Sequence, residues 1–390
     1  MTARALLVFG TRPEAIKMLP VVDALKAAPG IEPHVCVTAQ HRDLLDGVLD
    51  LFDVKPNFDL NIMKTGQDLT EVTGAVLSGV ADILSKHRYD WVVVHGDTTT
   101  TMASALAAFY QKVPVAHVEA GLRSGDISQP WPEEANRRFT DMISTLHFAP
   151  TSSARENLLG EAVPPSSITV TGNTAIDALQ TTLAKLDAQP AHRAALDQAF
   201  AFLDGSPTPS TSSGGGSSPI ILVTAHRREN FGAPFRAICK AIRDLAEEDG
   251  AQIVYPVHPN PNVQAVAHEM LASVENVHLV PPIDYAAFVY LMRRADIIMT
   301  DSGGVQEEAP SLGKPVFVMR NVTERPEAVD AGAARLVGTQ RESIVNAVRE
   351  VIRDRSAYER MRASSNPFGD GKAAQRIASV LSVGRTDEFC

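Results

Sequence analysis

The chain has 390 residues, more than one ordinary domain holds and a comfortable length for two. Hydrophobic residues make up 44% and charged residues 21%, the balance of a soluble globular protein with enough apolar side chains for a full core in each half. The formal net charge of −10 argues against a nucleic-acid partner, because a polyphosphate needs a basic face, although a few local arginines still suit an anionic small molecule. Cys36, Cys239 and Cys390 lie far apart, with neither a C-x-x-C pair nor a zinc spacing, so no disulfide framework and no metal site is expected. No stretch reaches the roughly 18 apolar residues of a membrane helix. The first apolar run, residues 5–9, leads straight into a polar motif and reads as a strand instead of a targeting segment. A cytoplasmic protein without a membrane partner is expected.

Short apolar runs alternate with amphipathic stretches along the whole chain. In the first half the predicted strands are 5–9, 34–37, 91–94, 113–118, 146–149 and 168–170. In the second half they are 220–223, 253–257, 277–280, 297–299, 315–319 and 335–337. Many are rich in Val and Ile and do not alternate, the pattern of strands buried on both faces. Helical stretches such as 15–27, 101–111 and 234–248 lie between them. Repeated βαβ units of this kind predict an α/β fold with two doubly wound parallel sheets. The boundary is expected at Thr171-Gly172-Asn173, giving a first Rossmann-like domain over 1–172 and a second over 173–369. A Ser-, Gly-, Pro- and Thr-rich stretch at 204–219 cannot build a core and is expected to form a surface loop.

The polar clusters share a position: each follows the carboxyl end of a predicted strand. Gly10-Thr11-Arg12-Pro13-Glu14 follows the first, His95-Gly96-Asp97 the third and Glu119-Ala120-Gly121-Leu122-Arg123 the fourth. In the second half Thr224-Ala225-His226-Arg227-Arg228-Glu229-Asn230, His258 and Asp301-Ser302-Gly303-Gly304 take the same place. Ligands of open parallel sheets bind outside those ends, so a cleft lined from both domains is expected. Asp97 reads equally as a helix cap before its threonines. Ser302-Gly303-Gly304 reads as a tight turn or as a phosphate cradle of backbone N–H groups. Glu307-Glu308 reads as a solvated face or as a carboxylate within reach of a ribose. His226 with its arginines reads as a surface patch or an anion contact, and Arg12 sits where a helix beginning at Pro13 would meet an anion. The chain has neither a G-x-G-x-x-G after its first strand nor a Walker A pattern, so dinucleotide binding is not supported. Asp97, Glu119 and Glu133 form a carboxylate set, Glu133 lying in Trp131-Pro132-Glu133-Glu134, which does not read as core packing. No histidine accompanies them at ligand spacing, which favours proton transfer over metal binding.

Taken in order, these motifs resemble the non-hydrolysing bacterial UDP-N-acetylglucosamine 2-epimerases. The resemblance rests on residues 10–20, Thr38-Ala39-Gln40-His41-Arg42, His95-Gly96-Asp97-Thr98-Thr99-Thr100-Thr101, 117–123, 130–137, 171–178, 224–230 and 300–325, and covers almost the whole chain. It implies the GT-B type fold, with two Rossmann-like domains and the active site between them. The C-terminal helix, about 370–390, returns to the first domain. It also implies a homodimer, no cofactor, and a place in cell-envelope polysaccharide biosynthesis. The substrates would be UDP-GlcNAc and UDP-ManNAc. By motif position, Asp97, Glu119 and Glu133 correspond to acid/base carboxylates and His226 to an essential histidine. Arg12, Lys17 and Arg137 correspond to contacts with substrate or phosphate. Ser302, Gly303 and Gly304 would hold the diphosphate and Glu308 the ribose.

The implied chemistry is coherent. The hydrogen on C2 has no neighbouring carbonyl to acidify it, and an oxidative detour would need NAD. Elimination of UDP to 2-acetamidoglucal followed by re-addition avoids that need, and several carboxylates suit proton transfer on two faces. The chain also departs from the family. Many members bind a second UDP-GlcNAc as an activator; Gln40 and His41 are kept, but Asp43 stands where those members often carry Gln, and Thr65-Gly66-Gln67 where they often carry an Arg-containing run. Weak or absent activation is therefore expected. The competing readings are a GT-B glycosyltransferase using a UDP-sugar donor, a hydrolysing epimerase, an epimerase of a UDP-2,3-diacetamido sugar, and a non-catalytic sensor.

Overall fold

The structure, a computed structural model, describes residues 2–38, 42–64, 66–204, 218–362 and 365–389, with the backbone alone at 42–44. The chain divides into two compact units, Met1–Thr181 with Phe368–Cys390, and Thr182–Pro367. Among the described residues no helix is long and apolar enough to cross a membrane.

The first unit is built on β1 (Ala3–Phe9), β2 (Ile31–Val37), β3 (Phe58–Asp59), β4 (Trp91–His95), β5 (Val115–Val118), β6 (Leu146–Ala149) and β7 (Ile168–Val170). They form one sheet in the order β3-β2-β1-β4-β5-β6-β7, with parallel pairings throughout. The non-alternating run in β1 is explained by helices on both faces, since Ala5 to Phe9 are all fully buried. β3 is not among the predicted strands. It has two residues, one of them Asp59, and only its pairing with Cys36 and Val37 makes it a strand.

The sheet order reverses between β1 and β4, and the chain is drawn tight there. Thr11 caps the helix Arg12–Ala27 in a capping box with Glu14. The buried Glu14 carboxylate accepts from the N–H groups of Gly10 (3.1 Å) and Thr11 (2.8 Å), and from the hydroxyls of Thr98 (2.6 Å) and Thr101 (3.2 Å). One side chain thereby joins the loops after β1 and β4. A Cβ at Gly10 would stand 2.0 Å from Thr38 Oγ1 and 2.9 Å from Thr100 Oγ1, so a side chain there would force the strand ends apart.

The last helix, Ala373–Val383, belongs to this unit and packs on Arg12–Ala27. Its start is held by Asp177, whose carboxylate accepts from the N–H groups of Ala373 (3.2 Å) and Ala374 (2.9 Å). Phe368 O accepts from Asn173 N at 2.6 Å, and Arg376 donates to Thr171 O at 3.0 Å.

The second unit repeats the plan with β8 (Ile220–Thr224), β9 (Gln252–Pro256), β10 (Val277–Val280), β11 (Ile297–Thr300), β12 (Val316–Val318) and β13 (Ala334–Leu336). Their order is β10-β9-β8-β11-β12-β13, all parallel, so the reversal falls between β8 and β11. Its core joins Phe235, Ile238 and Ile242 of the helix Ala233–Glu247 to Ile253 and Tyr255 of β9 and to Ile344 and Val348 of the helix Arg341–Arg353. All twelve predicted strands are present, and β3 is the addition. Of the low-complexity stretch, residues 205–217 lie outside the described residues.

Burial raises the Asp177 carboxyl to about 6, against the lowering effect of the N–H groups it accepts from. A carboxyl raised on folding binds more protons in the native state, so its contribution to stability falls as pH rises from about 4 to about 6. The full effect is at most about 3 kcal/mol. Asp177→Asn, which keeps an acceptor without the charge, is expected to raise Tm at pH 7 and to change it little near pH 4. Thermal unfolding at the two pH values checks this; a lowered Tm at pH 7 would count against it.

Candidate active site

In the first unit two of the three predicted carboxylates, Asp97 and Glu119, stand at neighbouring strand ends. Glu119 follows β5 directly, with φ at 66°, a left-handed conformation that costs a residue with a side chain about 1–2 kcal/mol. Its carboxylate is nearly enclosed. Lys17, from the helix Arg12–Ala27, forms an ion pair with Oε2. Asn173 Nδ2 donates to the same oxygen at 3.3 Å, and His95 Nε2 lies 3.5 Å from it. Three other segments thus converge on one oxygen. A Cβ on Gly96 would stand 3.8 Å from the other oxygen, so the residue preceding Asp97 lies against this carboxylate.

Asp97 lies just past β4 and pairs with Arg137. Arg137 is held in turn by Glu134 at 3.0 Å, and Asn136 Nδ2 donates to Asp97 O at 3.0 Å. Glu134 is fully buried and also takes the N–H of Ser124 (3.0 Å) and Arg138 Nε (2.9 Å). The two adjacent glutamates therefore differ. Glu134 fixes the loop and its arginines, whereas Glu133, the half-buried first residue of the helix Glu133–Ile143, has no hydrogen-bond or ion-pair partner among the described residues. No hydrogen bond or ion pair among the described residues joins Glu133 to Asp97 or Glu119. Trp131 is 68% exposed, in line with the reading that its run is not core. Arg12 opens its helix at the carboxyl end of β1, with Pro13 second.

In the second unit Asp301, fully buried after β11, organises the loop after β8. Its Oδ2 accepts from the N–H groups of His226 (2.9 Å) and Arg227 (2.8 Å) and from Asn230 Nδ2 (3.1 Å). Its Oδ1 is 3.6 Å from His226 Nδ1. The His226 ring stacks on His258 with centroids 5.1 Å apart and planes at 12°. Ser302 stands at the N-cap of the short helix Gly303–Glu308 without a side-chain capping bond. The Arg227 guanidinium is 3.6 Å from the Cβ position of Gly303, and nothing lies within 4 Å of the Cβ position of Gly304. Glu308 is buried and accepts the Tyr285 hydroxyl at 3.2 Å. Burial, then the Glu308 charge, pushes that phenol well above its ordinary range. Glu307 pairs with Arg325 and its carbonyl accepts Asn366 Nδ2 at 2.8 Å, so it is structural.

The structure thus joins Lys17 to Glu119 and Arg137 to Asp97 in one unit, and groups His226, Ser302, Gly303 and Gly304 around β8 and β11 in the other. Gln40 and His41 lie outside the described residues, as does the side chain of Asp43. His95, Asn173 and Tyr285 are additions to the predicted set, whereas Arg227 reads in the sequence, with His226, as a surface patch or an anion contact. His95 adjoins a predicted residue in its motif, and Asn173 marks a predicted strand end. Tyr285 carries no sequence signal, since it opens a helix far from any motif.

A family model described as UDP-N-acetylglucosamine 2-epimerase matches residues 23–382. The UDP-N-acetylglucosamine 2-epimerase of Yersinia pestis is 52% identical over 97% of this chain and 98% of its own. The crystal structure of UDP-GlcNAc 2-epimerase from Neisseria meningitidis bound to UDP-GlcNAc superposes with a TM-score of 0.88 at 49% identity, covering 97% of this chain and 99% of that one. MurG of Acinetobacter baumannii, at 14% identity and a TM-score of 0.56 over 98% and 99% of the two chains, shares the fold alone. With two reversed-order parallel sheets, strand-end motifs and near full-length identity agreeing, the chain belongs to the UDP-N-acetylglucosamine 2-epimerase family.

Proposed function

We propose that this protein inverts C2 of the amino sugar in UDP-GlcNAc, giving UDP-ManNAc without hydrolysis. The observation that carries the reading is the pair of carboxylates at adjacent strand ends, Glu119 held by Lys17 and Asp97 held by Arg137. A base takes the C2 proton, the C–H electrons form the C1–C2 double bond, and the C1–O bond breaks with its pair leaving on the diphosphate of UDP. The same UDP then adds back to C1 while C2 is protonated from the opposite face. The sequence is redox-neutral and consumes no co-reactant. Asp97, Glu119 and Glu133 are assigned to proton transfer, which contributes typically 10²–10⁴-fold. Lys17 and Arg137 orient the nearby carboxylates through their ion pairs. In the second unit Arg227, His226 and the Ser302-Gly303-Gly304 turn are assigned to the diphosphate, whose leaving charge preorganised donors stabilise, and Glu308 to the ribose. The reading places the reaction in the cytoplasm, supplying an activated mannosamine for cell-envelope polysaccharide.

Incubation with UDP-GlcNAc in D2O, followed by proton NMR, is expected to show UDP-ManNAc carrying deuterium at C2. Glu119→Gln is expected to lower kcat by about 10²–10⁴-fold with UDP still bound. Release of free ManNAc with UDP would replace the reading by the hydrolysing class. No conversion at all would replace it by glycosyl transfer or by another UDP-amino sugar.

Activation by a second UDP-GlcNAc is assigned as weak, since Asp43 adds a negative charge and Gly66 offers no cation where a diphosphate would sit. The reverse reaction is expected to start from UDP-ManNAc alone; an absolute requirement for added UDP-GlcNAc would refute this. A homodimer is supported by Phe109, Tyr110 and Met142, which are 54%, 65% and 71% exposed on the neighbouring helices Thr99–Tyr110 and Glu133–Ile143. Met142→Glu with Tyr110→Lys is expected to shift the sedimenting species to a monomer, and a wild type that already sediments as a monomer would remove the assignment.

A further inference from the structure

Beside Asp97 and Glu119 runs a buried chain of side chains that the proposed chemistry does not use. His117, inside β5, has no exposed side-chain surface. Its Nε2 lies 2.7 Å from the carbonyl oxygen of Gly96 and its Nδ1 lies 2.6 Å from Oδ1 of Asp141. Asp141 belongs to the helix Glu133–Ile143, and its Oδ2 accepts from Arg123 Nη2 at 2.8 Å and from Gly121 N at 3.3 Å. Burial pushes the Asp141 carboxyl up, but His117 and Arg123 outweigh it and hold the group below the usual carboxylate range. The Asp141 carboxylate and the Gly96 carbonyl thus face the two ring nitrogens of His117 as hydrogen-bond acceptors.

The far ends of this chain are the peptides beside the reacting groups. Gly96 immediately precedes Asp97, and its own N–H donates to Val118 O at 2.9 Å, so β5 holds Gly96 on both sides. Gly121 follows Glu119 by two residues. Gly96, Glu119 and Gly121 have φ of 67°, 66° and 86°. For Glu119 this conformation persists only where the surroundings enforce it.

We propose that His117 is a positioning residue: through the Gly96 carbonyl it sets the Asp97 turn at its working distance from Glu119, with Asp141 as the anchor. It touches no substrate, and the inference rests on the epimerase reading of the site. Asparagine and glutamine separate its two bonds. Asparagine brings its side-chain nitrogen near the Nδ1 position, keeping the Asp141 bond and losing the one to Gly96. Glutamine reaches near the Nε2 position and does the reverse.

Positioning predicts that His117→Asn lowers kcat by about 10²-fold, that His117→Gln loses far less, and that KM changes no more than about threefold in either. A purely structural role predicts the opposite order, because His117→Gln leaves the Asp141 charge buried beside an unfilled donor position and is the less stable variant. Kinetics and Tm are therefore measured on both. Amide hydrogen exchange at residues 96–98, expected to be faster in His117→Asn than in His117→Gln, gives a readout independent of turnover. Activity that ranks with Tm, equal kcat in the two variants, or unchanged exchange would overturn the proposal. A wild type that fails to convert UDP-GlcNAc overturns the epimerase reading instead, and exchange then decides the role of His117 by itself.

Discussion

The first unit depends on one buried carboxylate at the place where its sheet changes direction. At the switch between β1 and β4 the two chain segments turn away to opposite faces, and nothing in the strand ladder holds their loops together. Glu14 does so, taking donors from Gly10, Thr11, Thr98 and Thr101. A charge with so little access to water is tolerated because its oxygens are filled with donors, two backbone N–H groups just before one helix and two threonine hydroxyls at the start of another. Because Lys17 rides on the helix whose start Glu14 ties down, and Asp97 precedes the threonines that Glu14 binds, this contact links the segments that carry two of the candidate site's side chains.

The second unit solves the same problem with a different residue. Asp301 sits after β11, across the switch from β8, and collects the amides of His226 and Arg227 and the side chain of Asn230. In both units a carboxylate fixes backbone and leaves the neighbouring cationic or imidazole side chains turned toward the strand-end edge. Rigid strands supply the platform, and loops tied at two or three points carry the chemistry. Glu119 shows the consequence. Its left-handed backbone is unfavourable locally, yet Lys17, Asn173 and His95 meet its carboxylate from three other segments, so the strain is held by contacts distant in sequence.

Pairing also explains how an acidic chain handles anionic chemistry. The chain carries an excess of ten negative charges, but several of its carboxylates near the strand ends are paired with cations: Glu119 with Lys17, Asp97 with Arg137, Asp141 with Arg123 and Glu307 with Arg325. Cations held in this way are short-range devices that orient a partner, and they do not create the broad positive face that a polyphosphate requires.

The sequence by itself determined the architecture. Runs of Val and Ile between amphipathic stretches demand parallel strands covered on both faces, and each of the twelve runs became a strand. It also determined that the polar motifs gather at the carboxyl edge of each sheet, because motifs that follow parallel strands can stand only at that edge. What it did not contain was anything decided by contacts between distant segments. β3 is a strand only because β2 offers a free edge. Glu133 and Glu134 look interchangeable in the chain, and only helix orientation makes one the buried anchor and leaves the other unpartnered. His117 reads as one more residue of a buried strand until Gly96 and Asp141 are found at its two nitrogens. Periodicity records burial, which is local and repeated. The choice of hydrogen-bond partner depends on directions and distances between side chains far apart in sequence, and those exist only once the sheets have formed.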